Sequence, residues 1–232
     1  MQAAIVTVGD ELLAGDTVNT NAAWLATQLT QRGVGVERVT TVPDRESDIA
    51  QVVNEYRAAY DAVVVTGGVG PTHDDVTMDG VAAALGRPLE QHEEALSWLT
   101  IHGGYAADDL DDGTTALPAG ARVLHNEEGV APGCVVERVY VLPGVPTEMK
   151  AMFETVAEEF AGEQDHIRVV ETPEPESELL DRLAAVRDRF DVTVGSYPGE
   201  NVRVKFSGPD PETVTAAADW LRDRVTTVDD DE

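Results

Sequence analysis

The ten residues Thr66-Gly-Gly-Val-Gly-Pro-Thr-His-Asp-Asp75 set three glycines, two threonines and two carboxylates between an apolar segment and a helical pattern. Glycines at such a place let backbone N–H groups approach an oxyanion, and a helix start just behind them adds partial positive charge. A phosphate or another anion is the natural guest, and Thr66, Gly67, Gly68, Gly70, Pro71 and Thr72 are its candidate contacts. A tight strand-to-helix turn that needs glycine dihedrals accounts for the same tetrad. Two familiar phosphate loops fail: a dinucleotide fingerprint counted from Gly68 needs glycine where His73 stands, and no Gly-Lys-Ser/Thr follows.

Acids follow the glycines, at Asp74, Asp75 and Asp79. Carboxylates beside a phosphate repel it unless a divalent ion lies between them, and Mg²⁺ is bound by one or two carboxylates plus substrate phosphates. Asp44, in Val42-Pro-Asp-Arg45 directly behind another apolar segment, reaches the same edge of the fold and shares such an ion and substrate. Helix capping is the alternative for Asp74 and Asp79, and also for Asp44, although Ser47 or Asp48 suits the cap better. Leu142-Pro-Gly-Val-Pro146 repeats the logic of strand end, glycine and helix start. Gly144 and Pro146 there line the other side of a cleft, or form only a stiff turn. The five histidines show no i, i+4 pair, which disfavours zinc, and the single cysteine, Cys134, reads as a core residue. No Gly-x-Ser-x-Gly elbow supports acyl transfer.

The elements that must position these groups alternate. Residues 3–8, 34–42 and 62–66 read as strands, a polar loop covers residues 9–20, and helical spacing recurs at Leu25 and Leu29, at Ile49, Val52, Val53 and Tyr56, and at Val81 and Leu85. Alternation of this kind implies parallel βαβ units with helices on both faces, an α/β fold whose ligands bind at the carboxyl ends of the strands. An irregular middle holds a helix near residues 93–101, a loop of Asp and Gly over 103–113, and short strands near 122–124, 134–137 and 139–142. Met149, Met152, Phe153, Val156 and Phe160 then form a helix with Pro146 in its first turn. A linker at 162–165 leads to a strand-helix-strand-strand-helix module, so the expected domains are 1–162 and 166–228, with an acidic tail over 229–232.

Several motifs together resemble the molybdopterin-binding (MoaB/MogA-like) domain family and its CinA-like branch. They are Gly9-Asp-Glu-Leu-Leu13, Asn19-Thr-Asn21, Val42-Pro-Asp44, the glycine loop with Asp74-Asp75, Asn126 with Gly129-Val-Ala-Pro-Gly133, and Leu142-Pro-Gly-Val-Pro-Thr-Glu-Met149. The resemblance implies a three-layer αβα sandwich with a mostly parallel sheet, followed by a small KH-like α+β module. It implies a phosphorylated ligand, molybdopterin or a nucleotide such as ADP-ribose or ATP, and a homo-oligomer. Asp10 and Asn19 join the ligand-binding set on this ground. Asp44 and Asp75 match the family's acidic positions that hold Mg²⁺, with Mn²⁺ or Co²⁺ as alternatives, and support catalysis at a phosphoanhydride: ADP-ribose-type hydrolysis or molybdopterin adenylylation. A pterin- or nucleotide-binding protein without catalysis is the third reading. The chain stops where CinA-like proteins continue into an amidohydrolase domain, so deamidation is not expected.

Charge sets the remaining bounds. Against 44 acids the chain has 16 bases, a net charge of −28, and the acids are spread over nearly every segment. Binding of nucleic acid is disfavoured. From residue 163 onward 18 acids face 8 bases, and the KH-like module lacks a Gly-x-x-Gly clamp, so it is expected to pack or form an interface, not to bind RNA. No apolar run approaches the roughly 20 residues of a membrane helix, and no leader pattern is seen. The expectation is a cytoplasmic protein of a high-salt cell, because concentrated salt shortens the Debye length to about 3 Å and relieves self-repulsion. Thermal melting followed by circular dichroism is therefore expected to shift to higher temperature from dilute buffer to molar KCl. A salt-independent midpoint would contradict that reading.

Overall fold

Strand β1 (Gln2–Val8) starts a six-stranded sheet of order β2-β1-β3-β8-β7-β6, formed with β2 (Gly35–Val42), β3 (Ala62–Thr66), β6 (Arg122–Leu124), β7 (Gly133–Val136) and β8 (Val139–Leu142). The first four strands in that order run parallel, and β7 and β6 are antiparallel to their neighbours. The computed structural model describes residues 1–70, 72, 74–102, 113–162 and 165–228. The chain divides into two units, residues 1–162 and 163–232.

Both faces of the first sheet are apolar, as the period of two requires when each face is covered. Ala4, Val6, Val63, Val65 and Val141 pack with Ile49 and Val53 of α3 (Glu46–Ala59) and Val81 of α4 (Thr77–Leu85). Ile5, Val64 and Leu142 point the other way, to Leu25 and Leu29 of α2 (Thr20–Gln31) and Met149, Met152 and Phe153 of α6 (Pro146–Val156). The result is a three-layer α/β sandwich. In the second unit, β9 (His166–Thr172), β10 (Thr193–Tyr197) and β11 (Val202–Gly208) form an antiparallel sheet of order β10-β11-β9, with α7 (Glu176–Arg189) and α8 (Pro211–Arg222) sharing its core around Phe206, Leu183 and Leu221.

Several details depart from the sequence reading. The expected loop over residues 9–20 contains a short helix, α1 (Asp10–Ala14), which has no apolar face to signal it and ends at Gly15 in the left-handed conformation. β4 (Leu89–Gln91) and β5 (Ala116–Pro118), before and after α5 (Glu93–His102) in the chain, pair antiparallel, a ladder the sequence reading did not contain. α3 begins behind Arg45, so neither Ser47 nor Asp48 caps it. α4 begins behind Val76, which places Asp79 in its first turn and Asp74 and Asp75 ahead of it. Pro71, most of the 103–113 loop and the 229–232 tail lie outside the described residues.

α3 and α4 meet at Gly80, where a Cβ would come within 2.6 Å of Ile49 Cβ and Cγ2. Alanine would add about 1 kcal/mol of helix propensity, but overpacking here costs about 1–3 kcal/mol. Gly80→Ala is therefore expected to lower the midpoint of chemical denaturation, and a rise would refute this close helix contact.

Candidate functional site

The chain leaves β1 toward β2 on one side and returns to β3 on the other, so the strand order reverses between β1 and β3. At such a reversal the connections diverge and open a crevice beyond the carboxyl ends of the strands. A cleft of about 270 Å³ lies there, walled by the ends of β1 (Thr7, Val8, Gly9) and β3 (Thr66, Gly67, Gly68), by residues 17–21, by Asp44, Asp74 and Asp75, and by Gly144 and Pro146.

The glycine turn is held by backbone packing. Gly67 has φ +107, and a Cβ there would stand 2.2 Å from Val8 O; Gly68 has φ +58, and a Cβ would stand 2.7 Å from Thr77 Oγ1. No side chain fits at either position. Thr77, the first residue of α4, donates its amide to Gly68 O (2.9 Å) and its hydroxyl to Gly67 O (2.8 Å). Gly67 N donates to Leu142 O, whereas the amides of Gly68, Val69 and Gly70 have no partner among the described residues. These are the open donors of the turn.

Asp44 comes to this turn as the sequence suggested: its Oδ1 lies 3.3 Å from where a Cβ of Gly68 would be. Its Oδ2 accepts the amide of Asp10 at 2.7 Å, which ties the start of α1 to the end of β2. Burial raises the Asp44 carboxyl above the ordinary aspartate range, the Asp10 amide opposes this, and the charges of Asp10, Glu11 and Asp74 raise it further. Mutual repulsion among these carboxylates is what a cation would relieve. Among the described residues no group of three or more metal-ligating side chains is preassembled. The donor set therefore fits an ion that takes one or two carboxylates and completes its shell with phosphate and water.

Asp75 also lines the cleft, with its Oδ2 accepting the amide and the hydroxyl of Thr72 and its carboxylate lying over Gly70. Thr72 and Gly70 thus hold Asp75 and do not themselves wall the cleft; Asp10 acts through its amide. Asn19 lines the cleft but is largely spent on structure: it caps α2 through Ala22 N and donates to Thr7 Oγ1 at 2.9 Å. Sequence reasoning left out Asn21, whose Nδ2 donates to Gly144 O at 2.7 Å while Thr66 Oγ1 donates to Pro143 O at 2.6 Å. Together they draw the β8–α6 turn onto the glycine turn, and a Cβ at Gly144 would stand 3.2 Å from Gly67 Cα. Glu11 and Val18, also not singled out, wall the cleft. Asn21 and Glu11 lay within quoted motifs, but side-chain types alone did not separate them from their neighbours. Cys134 is buried in the core, which pushes its thiol up to about 12 and leaves it inert. No helix among the described residues is long and apolar enough to cross a membrane.

A covered, mostly parallel sheet with one cleft at its reversal defines a small-ligand-binding α/β domain. The chain belongs to the family described as "Probable molybdopterin binding domain", which matches residues 4–162. It is 41% identical over 219 residues to a protein of Archaeoglobus fulgidus, covering 94% of this chain and 95% of that one. A Pyrococcus abyssi protein is 38% identical, with 97% of each chain covered. Among solved structures, CinA of Thermoplasma acidophilum superposes with a TM-score of 0.64 at 35% identity, covering 69% of this chain and 99% of its own.

The raised Asp44 carboxyl carries a consequence for stability. An acid whose folded value lies above its unfolded value binds protons on folding, so its ionised form burdens the fold above both values, and the burden fades as pH falls through them. Asp44→Asn keeps an oxygen to accept the Asp10 amide and removes the charge. It is expected to raise the melting temperature at neutral pH, with the gain shrinking toward pH 3.8, the ordinary aspartate value. A loss of stability at neutral pH would show that the carboxylate is favourably held.

Proposed function

We propose that the cleft is a metal-assisted phosphoanhydride site and that the protein is a nucleotide pyrophosphatase acting on ADP-ribose or a ligand like it. The observation that carries this reading is the pairing of the open amide at Gly68, in the wall of the cleft, with the crowded carboxylate of Asp44 beside the same turn. Amides bind one face of a diphosphate, and the turn's rigidity fixes its orientation without reorganisation at the moment of reaction. Asp44 and Asp75 would hold the metal, Mg²⁺ or, as alternatives, Mn²⁺ or Co²⁺. When bound, such an ion neutralises phosphate charge and activates a water. In the overall step water adds to one phosphorus, the bridging P–O bond breaks, and ADP-ribose becomes AMP and ribose 5-phosphate. Asp44 must be ionised to serve, so acid that protonates it should slow the reaction.

The family's description supports a second reading, adenylyl transfer from ATP to molybdopterin at the same cleft. Product analysis in molar KCl with each metal separates the two. The expected result is AMP plus ribose 5-phosphate from ADP-ribose, with Asp44→Asn and Asp75→Asn each slowing turnover about a hundredfold or more. Adenylylated pterin with pyrophosphate release would replace the first reading by the second. No product from a folded protein that still binds nucleotide would make it a binding protein.

A further inference from the structure

The second unit leaves one strand edge open. β9 stands at the border of its sheet, order β10-β11-β9, and pairs with β11 on one side only. Backbone groups of successive residues in a strand point to opposite sides, and Glu171 O accepts the amide of Val228, which lies outside the sheet. Glu171 therefore faces outward. By the same alternation Ile167 and Val169 face outward too, whereas Arg168 and Val170 face β11. The amides of Ile167 and Val169 and the carbonyl of Val169 have no partner among the described residues. Ile167 O accepts the guanidinium of Arg168 at 3.1 Å, a bond that the amide of an added strand can replace.

The side chains make this edge adhesive. Ile167 and Val169 are 43% and 36% exposed, on the sheet face opposite the buried Val170 and Thr172. Open edges are commonly blunted by proline, bulges or charge. β9 has no proline and keeps its register with β11, and the one charge in the open stretch is Arg168. Arg168 and Lys205, the latter opposite Val169 on β11, have no carboxylate partner among the described residues. Uncompensated positive charge is unusual in a segment where, from residue 163 onward, 18 acids face 8 bases.

Charge also decides between occupants. Two antiparallel copies in the register that matches Ile167 with Val169 would set their Arg168 side chains directly opposite, where like charges are destabilising. Sliding the register to match Val169 with itself would require Glu171, which Val228 already occupies. An extended segment that alternates apolar and acidic residues meets neither obstacle. Its apolar side chains fall beside Ile167 and Val169 on one face, and an acid falls beside Arg168 on the other.

We propose that the outer edge of β9 is a docking site for an extended segment of another protein, alternately apolar and acidic, which joins the sheet as a further strand. Backbone bonds at Ile167 and Val169 hold it, and Arg168 and Lys205 select its charge. Docking here is independent of what the cleft binds.

A blocked synthetic peptide of about seven residues, alternating valine and glutamate, matches a strand of this size. Solvent exchange of backbone amides, followed by NMR on the full chain, reads the contact. In the free protein the amides of Ile167 and Val169 are expected to exchange fast and those of Arg168 and Val170 slowly. With the peptide at about ten times its dissociation constant, exchange at Ile167 and Val169 is expected to slow about tenfold. The same peptide with lysine for glutamate is expected to have no effect at that concentration. Val169→Pro removes an outward amide and spares the ladder to β11, so it is expected to abolish the slowing at Ile167 without lowering the melting temperature. Arg168→Glu, at an exposed position, is expected to reverse the preference between the two peptides, and it decides the matter if the proline variant does not fold. No slowing with the acidic peptide, or equal slowing with both, would overturn the proposal. So would slow exchange at Ile167 and Val169 without peptide: a dependence on protein concentration would mean that a second copy takes the edge, and independence that the chain itself does.

Discussion

Three strand ends meet backbone to backbone at the cleft, and the geometry of the site depends on that contact. Gly67 lies against Val8 O at a distance no Cβ tolerates, and against Gly144, where a Cβ would stand a tight 3.2 Å from Gly67 Cα. Close approach brings the turns after β1, β3 and β8 within hydrogen-bond reach of one another, and Thr66, Asn21 and Thr77 then lock it. Because each lock ends on a backbone carbonyl, the turn keeps its shape independently of the charged groups around it. A turn built this way is preorganised by packing, with its open amides left over once the strands have met.

Against that rigid floor, the carboxylates are an electrostatic liability concentrated in one place. The whole chain carries −28, but most of its charge is spread over exposed surface where solvent and salt screen it. Asp44 differs: partial burial weakens the screening, and Asp10, Glu11 and Asp74 all act on it in the same direction. A cation held between these carboxylates would relieve that repulsion.

Much of this was legible in the sequence, and for a physical reason. Strands buried on both faces read as continuous apolar runs, so β1, β3 and the glycines behind β3 stood out, and β2 placed Asp44 at the same edge. The second unit's alternating burial in β11, with Val202, Val204 and Phe206 inward, left an equally clear period. The β4–β5 pair was illegible because β4 offers one apolar residue, Leu89, and β5 ends on Pro118, so neither gives an apolar run. α1 was illegible because a helix with no buried side chain has no stripe. Within the site, Asp44 was found because a carboxylate behind a strand is chemically conspicuous. Asn21 was not, because its role lies in reaching a carbonyl 123 residues away, which no local pattern records.

The parts that hid from the sequence are also those with the least core beneath them. Segments that bury little open at low free energy, while the strands they overhang share the stability of the whole domain. In this protein the boundary falls at the cleft itself: its floor is made of β1 and β3, buried without exception at Ile5, Val6, Val64 and Val65, and its rim of α1 and the residues that follow it.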